Sequence, residues 1–324
     1  MKSRCRLFGC RAGRIIGVLA ALCLYSFAGY SAAEAAEAGN DITAAVVVSM
    51  NIRPYLEAVE GFREFLSARS ISEIKIIQID KYPAPEDRDK LAGELEVGHF
   101  SVLVAIGPAA ARFLWEDLPS RTGPRIFSMV LNPETIFTEG EKACGIPLNI
   151  PVRTQLKVIQ GGLPSIRKLG LLYDPAFNSY FFNEARTEGI ALGLEVIPLA
   201  VSSKGFITDA LQRGWESIDA LWLIPDRTIG SESIIQFVIR EALFRKIPVL
   251  GYNRFFYESG AALSFIFDYV ELGRQCGQKA VELATGMPCI ETEPRFEAWV
   301  NRRVLERIGM PLSDVYMSPL KVGP

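Results

Sequence analysis

Short, unbroken apolar runs, each followed by a helical pattern, most restrict what this chain can fold into. Residues 44–49 read Ala-Ala-Val-Val-Val-Ser, and comparable runs recur at 74–79, 101–106, 125–130, 168–173, 195–199, 220–224, 249–252 and 261–267. An apolar run without polar alternation suits a strand buried on both faces, which is the habit of parallel sheets. After Pro54, Leu56, Val59, Phe62, Phe65 and Leu66 recur at spacings of three and four, giving a helix with one apolar face. Further helical patterns lie at 86–97, 108–115, 156–161, 182–192, 207–213, 233–244 and 271–284, and residues 293–309 close the chain. Strands alternating with helices predict an α/β protein, and 324 residues with 49% hydrophobic content supply two domains of ordinary size. The alternation breaks at residues 145–151, where Pro147 and Pro151 resist helix, so this piece reads as a crossover between two lobes.

The amino terminus follows a different logic. Lys2, Arg4, Arg6, Arg11 and Arg14 precede an apolar stretch over residues 15–30, and Ser31, Ala32, Ala33, Ala35 and Ala36 follow. Charge, apolar core and small residues in that order form a cleavable export signal, with the cut expected after Ala33 or Ala35. The apolar stretch, about 16 residues, is shorter than the ~20 that span a bilayer, although an uncleaved anchor is the alternative. A periplasmic or other extracytoplasmic location follows. Cys23 is preceded by Leu22 and Cys10 precedes the apolar core, so neither is placed for lipid attachment. Of the six cysteines, Cys144, Cys276 and Cys289 lie beyond the signal. They permit at most one intramolecular disulfide and lack CxxC spacing, so buried or incidental thiols are the simpler reading.

Several kinds of chemistry are poorly provided for. A net charge of -2 with mixed signs leaves no basic stripe for a run of phosphates, so nucleic acid is not an expected partner. The single histidine, His99, precedes the strand at 101–106 and so sits opposite the expected crevice, away from any nucleophile. Hydrolytic zinc sites draw on several His or Cys ligands. No Walker sequence is present and no GxGxxG follows a strand. Binding without a cofactor is expected, rather than catalysis.

In doubly wound sheets the ligand crevice lies outside the carboxyl ends of the strands. The candidate residues are Ser49, Asn51, Arg53, Gly107, Pro108, Ala109, Asn132, Asp174, Asn178 and Ser179. Pro225, Asp226, Arg227, Thr228, Asn253, Arg254 and Asp268 complete the set. Pro108 at a first helical position leaves the amides of Ala109 and Ala110 for an anion, against the plainer reading of a tight turn. Asn178, Ser179, Asp226 and Thr228 are equally suited to capping helices, and Tyr252, Phe255, Phe256 and Tyr257 to core packing. For an amino-acid ligand, Asp226 and Asp268 would meet the ammonium, and Arg53, Arg227 and Arg254 an acidic group.

From the crossover onward an ordered set of motifs is present. It comprises Gly145-Ile146-Pro147, Gln155-Leu156 to Leu163-Pro164, Lys168 to Pro175 with Asn178-Ser179, and Asp219 to Asp226. Lys246-Ile247-Pro248-Val249, Gly260-Ala261-Ala262 and Asp268-Tyr269 leading to Glu271-Leu272-Gly273-Arg274-Gln275 follow. In the first lobe, Ala105-Ile106-Gly107 with Ala109-Ala110 and Asn132-Pro133 match more weakly. Together they resemble the substrate-binding proteins of ABC transporters, in a branch near tryptophan and other amino-acid binders. The resemblance implies the type I periplasmic-binding fold, two doubly wound Rossmann-like lobes joined by a three-strand hinge, with each lobe completed by a late segment. The lobes would comprise residues 41–146 plus 255–288 and residues 147–254 plus 289–324, with hinges at 145–151 and near 253–260 and 287–292. It further implies a monomer that binds a small molecule such as an amino acid between the lobes. An ABC permease with a separate ATPase chain would be its partner. Positions matching Asn178, Ser179 and Asp226, with others near Gly107 and Asp268, would face ligand. This chain departs from its relatives in having Pro108 after Gly107, Arg227 after Asp226, and Arg53-Pro54 after the first strand. A sensor module serving a membrane receptor and a periplasmic enzyme are the alternatives.

Overall fold

The computed structural model describes residues 42–71, 73–118, 123–137, 143–290, 292–311 and 319–324. The export signal expected over residues 1–35 lies outside them. β1 (Ala44–Val48) is buried at every position, as its apolar composition demands, and has a parallel neighbour on each side. α1 (Arg53–Ser67) carries Pro54 in its first turn, where a missing N–H loses no helical bond, and buries Ala58, Val59, Phe62 and Leu66. β2 (Ile74–Gln78), α2 (Pro85–Val97), β3 (Val102–Ile106), α3 (Pro108–Arg112), β4 (Arg125–Val130) and β5 (Cys144–Pro147) follow. The five strands form a parallel sheet in the order β2-β1-β3-β4-β5. β5 occupies residues expected to be crossover. Its Cys144, Gly145 and Ile146 pair with Ile126, Phe127 and Ser128, so the crossing shrinks to residues 148–151.

The chain continues through α4 (Val152–Gly162), β6 (Lys168–Tyr173), α5 (Pro175–Ala191), β7 (Glu195–Ala200), α6 (Ile207–Gly214) and β8 (Ala220–Leu223). Then come α7 (Glu232–Phe244), β9 (Val249–Gly251), α8 (Arg254–Glu258), β10 (Leu263–Ile266), α9 (Tyr269–Ala284), β11 (Glu297–Val300), α10 (Arg302–Ile308) and β12 (Leu320–Val322). The second sheet has seven strands in the order β12-β11-β10-β9-β8-β6-β7, with β10 and β11 antiparallel and the other pairs parallel.

The return crossing falls later than the sequence suggested. β10 pairs with β9 through Leu263–Leu250 and Ser264–Gly251, so residues 255–266, expected in the first lobe, belong to the second sheet. The core packing expected of the aromatic stretch holds for Phe256, which is buried in the core beneath that sheet. The chain returns at residues 267–268, where the Asp268 carboxylate accepts from the Glu271 amide and starts α9. Leu272, Cys276 and Ala280 of α9 then join the core of β1, β3 and β4.

α9 docks on α1 through two glycines. A Cβ on Gly61 would stand 1.8 Å from the Val270 carbonyl oxygen, and one on Gly273 2.0 Å from that of Ala58. Any side chain at either position separates the helices. Cys144 of β5 forms a disulfide with Cys289, in the segment between α9 and β11, and Cys276 is a buried free thiol. The reading of all three as thiols therefore holds for Cys276 alone. A pair separated by 145 residues carries no local signal in sequence.

Candidate functional site

Strand order reverses between β1 and β3 in the first sheet and between β6 and β8 in the second. Crevices open at such points, so residues after these strands are where ligand groups are sought. At both points the candidate side chains bind each other. In the first sheet Ser49 is buried and its Oγ accepts from the Ala110 amide at 2.9 Å, bridging β1 to the start of α3. Gly107 has φ of +90°, and a Cβ there would lie 2.6 Å from Ser49 Oγ, so the residue serves this packing. Pro108 and Ala109 complete a tight turn, and Ala109 packs against the neighbouring core. Ser49 thus occupies the Ala110 amide that was a candidate for an anion.

In the second sheet the buried Asp226 carboxylate accepts from the Asp174 amide at 2.8 Å, Asn178 Nδ2 at 2.7 Å and the Thr228 amide at 2.8 Å. Asp174 caps α5 through Ala176 and accepts from the Thr228 hydroxyl at 2.6 Å. Asp226 was expected to meet a ligand ammonium. Its oxygens instead tie the β8 loop to the start of α5. That helix begins at Pro175, ahead of the expected 182, and breaks its regular geometry at Asn178 (φ −126°, ψ 20°).

Between the two sheets lies a cavity of about 330 Å³. Leu131 and Asn132 follow β4, Leu148, Asn149 and Ile150 follow β5, and Gln155 comes from α4. Asn178 and Phe181 come from α5, Ile224, Pro225, Tyr252 and Asn253 follow β8 and β9, Phe265 lies in β10, Phe267 is in the return crossing and Tyr269 starts α9. No Asp, Glu, Lys or Arg is among these lining residues. A bulge places Asn132: the β4–β5 register shifts between Ser128 and Val130, with Met129 (φ 61°) and Asn132 (φ 52°) in the left-handed region.

The amide groups of this cavity have fixed orientations. Asn149 Oδ1 accepts from the Asn132 amide at 2.8 Å while its Nδ2 donates to Asn132 Oδ1 at 2.6 Å. Asn132 Nδ2 is thereby left as a donor. Asn253 Oδ1 caps α8 by accepting from the Phe256 amide at 3.2 Å, leaving a second donor. Asn178 Nδ2 is drawn to Asp226 and Gln155 Nε2 to the Ile150 carbonyl at 2.7 Å, leaving Asn178 Oδ1 and Gln155 Oε1 as acceptors. Each partner can only donate or only accept, so none of these amides turns over without losing a bond. Burial pushes the Tyr252 phenol above its ordinary value, and the Asp226 charge adds to the effect. Tyr269 is raised chiefly by burial and then by Glu57, against an opposing pull from Arg254.

Of the residues expected at the site, Asn132, Asn178, Pro225 and Asn253 line the cavity, and Asp174 and Asp226 stand behind Asn178. Asn51 is exposed and outside the lining, and the Ser179 hydroxyl turns back to the Pro175 carbonyl. Arg227 is exposed, 5.3 Å from the Phe177 ring centroid. Arg53 pairs with Glu57 at 2.6 Å and, with Asp268, lines an adjoining cavity. Arg254 lines that adjoining cavity too, so the three arginines do not converge, and Arg227 lies apart from both spaces. Asn149 and Gln155 were missed. Gln155 did leave a signal, as a polar residue on the otherwise apolar face formed by Val152, Leu156 and Ile159.

A family model of ABC transporter substrate-binding proteins matches residues 42–315. This chain belongs to that family. ABC transporter substrate-binding proteins are non-enzymatic binding proteins, and the chain is the substrate-binding component of such a transporter. The tyrosine-binding protein of Clostridioides difficile (strain R20291) is 22% identical over 269 residues, covering 78% of this chain and 77% of that protein. Among solved structures, a ligand-free, open substrate-binding protein with adhesive properties from Clostridium difficile has a TM-score of 0.71 at 17% identity. It covers 87% of this chain and 99% of that one. An ABC domain in complex with L-Trp from Streptococcus pneumoniae has a TM-score of 0.56 at 18% identity, covering 83% and 96%. The fold of this substrate-binding protein is that of the periplasmic binding proteins.

Proposed function

We propose that this substrate-binding protein captures an aromatic amino acid or a close analogue in the cavity between its sheets, outside the cytoplasm, and delivers it to an ABC permease. The observation that carries this reading is the lining itself. Oriented amides offer two donors and two acceptors, and no lining side chain bears a formal charge. A zwitterion of zero net charge suits such a site better than an ion, whose desolvation would be unmatched. Phe181, Tyr252, Phe265, Phe267 and Tyr269 supply apolar wall for a ring, and about 330 Å³ lies at the small end of ligand pockets. The relatives named for tyrosine and solved with L-Trp point the same way.

The extracytoplasmic location is supported by the charge, apolar and small-residue order of residues 1–36 and by the Cys144–Cys289 disulfide, which suits an oxidising compartment. Mass spectrometry of protein from its native compartment checks it, since an intact amino terminus there would indicate an anchored protein. For the ligand, thermal shift against amino acids, short peptides and purines is the test. Saturation at about 100 times Kd adds about 2.7 kcal/mol of stability, so binding of tyrosine or tryptophan raises Tm clearly. A shift with dicarboxylates or purines and none with aromatic amino acids would overturn the reading.

A further inference from the structure

The amide-lined cavity lacks the charge that a ligand carboxylate ordinarily meets, and its surroundings supply one. A second cavity of about 500 Å³ shares Asn253, Phe267 and Tyr269 with the first and is lined by charged residues as well. Four of those charges form two ion pairs. Arg53 pairs with Glu57 at 2.6 Å, Lys321 with Glu297 at 2.5 Å, and Asp268 accepts from the Glu271 amide at the start of α9. Among the described residues Arg254 has no carboxylate within ion-pair distance. Its guanidinium lies over the Trp299 indole, 5.1 Å from the ring centroid, and the side chain is exposed. It directly follows Asn253, whose Nδ2 is one of the uncommitted donors.

The opposite end of the amide-lined space is negative. Asp226 is buried behind Asn178, and a carboxylate bound to Nδ2 polarises that amide and strengthens Oδ1 as an acceptor. We propose that Arg254, with Asn253 Nδ2, holds the carboxylate of the bound zwitterion, whose ammonium points to Asn178 Oδ1 and Gln155 Oε1. This assignment rests on the aromatic amino-acid reading and adds an orientation to it. The guanidinium fork on an indole face is preorganised to receive two carboxylate oxygens, which an ammonium on a flexible stem is not.

Calorimetry with L-tyrosine, L-tryptophan and their carboxylate-free amines, tyramine and tryptamine, tests it. The wild type binds the amino acids more tightly than the amines. Arg254→Ala weakens the amino acids about ten-fold, the low end for a charge-assisted contact because Arg254 is exposed, and leaves the amines nearly unchanged. Arg254→Lys, which keeps the charge without the fork, falls between, and Arg227→Ala leaves both ligand classes alone. Melting temperatures of each variant establish that it is folded. Equal losses for acids and amines in Arg254→Ala, or wild-type affinities that do not distinguish tyrosine from tyramine, overturn the assignment while the aromatic reading stands. A wild-type protein that binds neither amino acid overturns the aromatic reading, and the assignment with it.

Discussion

Asn178 holds its side-chain amide against the buried carboxylate of Asp226, Nδ2 to Oδ2 at 2.7 Å, so the acid orients a cavity residue without lining the cavity. Asp226→Ala strands the Asp174 and Thr228 amides together with the Asn178 amide. The expected loss is about 3 kcal/mol, read as a lower urea midpoint at unchanged slope. Asp226→Asn retains an acceptor and loses about half as much. A loss under about 1 kcal/mol for Asp226→Ala would show that the network does not hold this loop.

Asn149→Asp separates stability from recognition. A carboxylate at 149 still accepts from the Asn132 amide but repels Asn132 Oδ1, so the Asn132 side chain turns and presents an oxygen where it had offered Nδ2. Affinity for a ligand oxygen falls about ten-fold while Tm moves by only a few degrees. Unchanged affinity by calorimetry would place Asn132 outside the recognition set.

Two glycine substitutions have opposite expected signs. Gly273→Ala drives a Cβ to 2.0 Å from the Ala58 carbonyl and forces α9 from α1, costing about 3 kcal/mol. Gly93→Ala, in α2 with no atom within 4 Å of the new Cβ, stabilises by about 0.5–1 kcal/mol through helix propensity. Thermal denaturation of both variants checks the pair, and a neutral Gly273→Ala would show that the helices are not in backbone contact.

Cysteine chemistry gives a fourth measurement. Without reductant, thiol titration of the chain from residue 42 onward finds no reactive group in the folded state and Cys276 alone after unfolding. Burial pushes the Cys276 thiol from its ordinary 9.0 up to about 12. The unfolded thiol ionises first, so the stability it contributes is complete below 9.0 and is lost as pH climbs toward about 12. Cys276→Ala therefore declines less steeply than wild type across that window, by at most about 1.4 kcal/mol per pH unit. Parallel slopes in urea titrations at about pH 8 and pH 10.5 would show that Cys276 ionises equally in both states.

The sequence by itself determined the class of architecture. Apolar runs such as Val46-Val47-Val48 and the spacing of Leu56, Val59 and Phe62 are local patterns, and they require buried parallel strands and one-faced helices in any arrangement that excludes water from them. The ordered motifs after residue 145 indicated the family for the same reason, being short and contiguous. Tertiary structure alone decided which polar groups remained available. Asn132 meets Asn149 across 17 residues, Asn178 meets Asp226 across 48, and Cys144 meets Cys289 across 145. Asp226 and Arg227 are neighbours in one loop, yet one carboxylate is consumed by amides from another loop while the guanidinium stays exposed over Phe177. A side chain can be free for a ligand only after its own backbone and neighbours have been satisfied, and those partners are set by strand order, which hydrophobic periodicity does not encode.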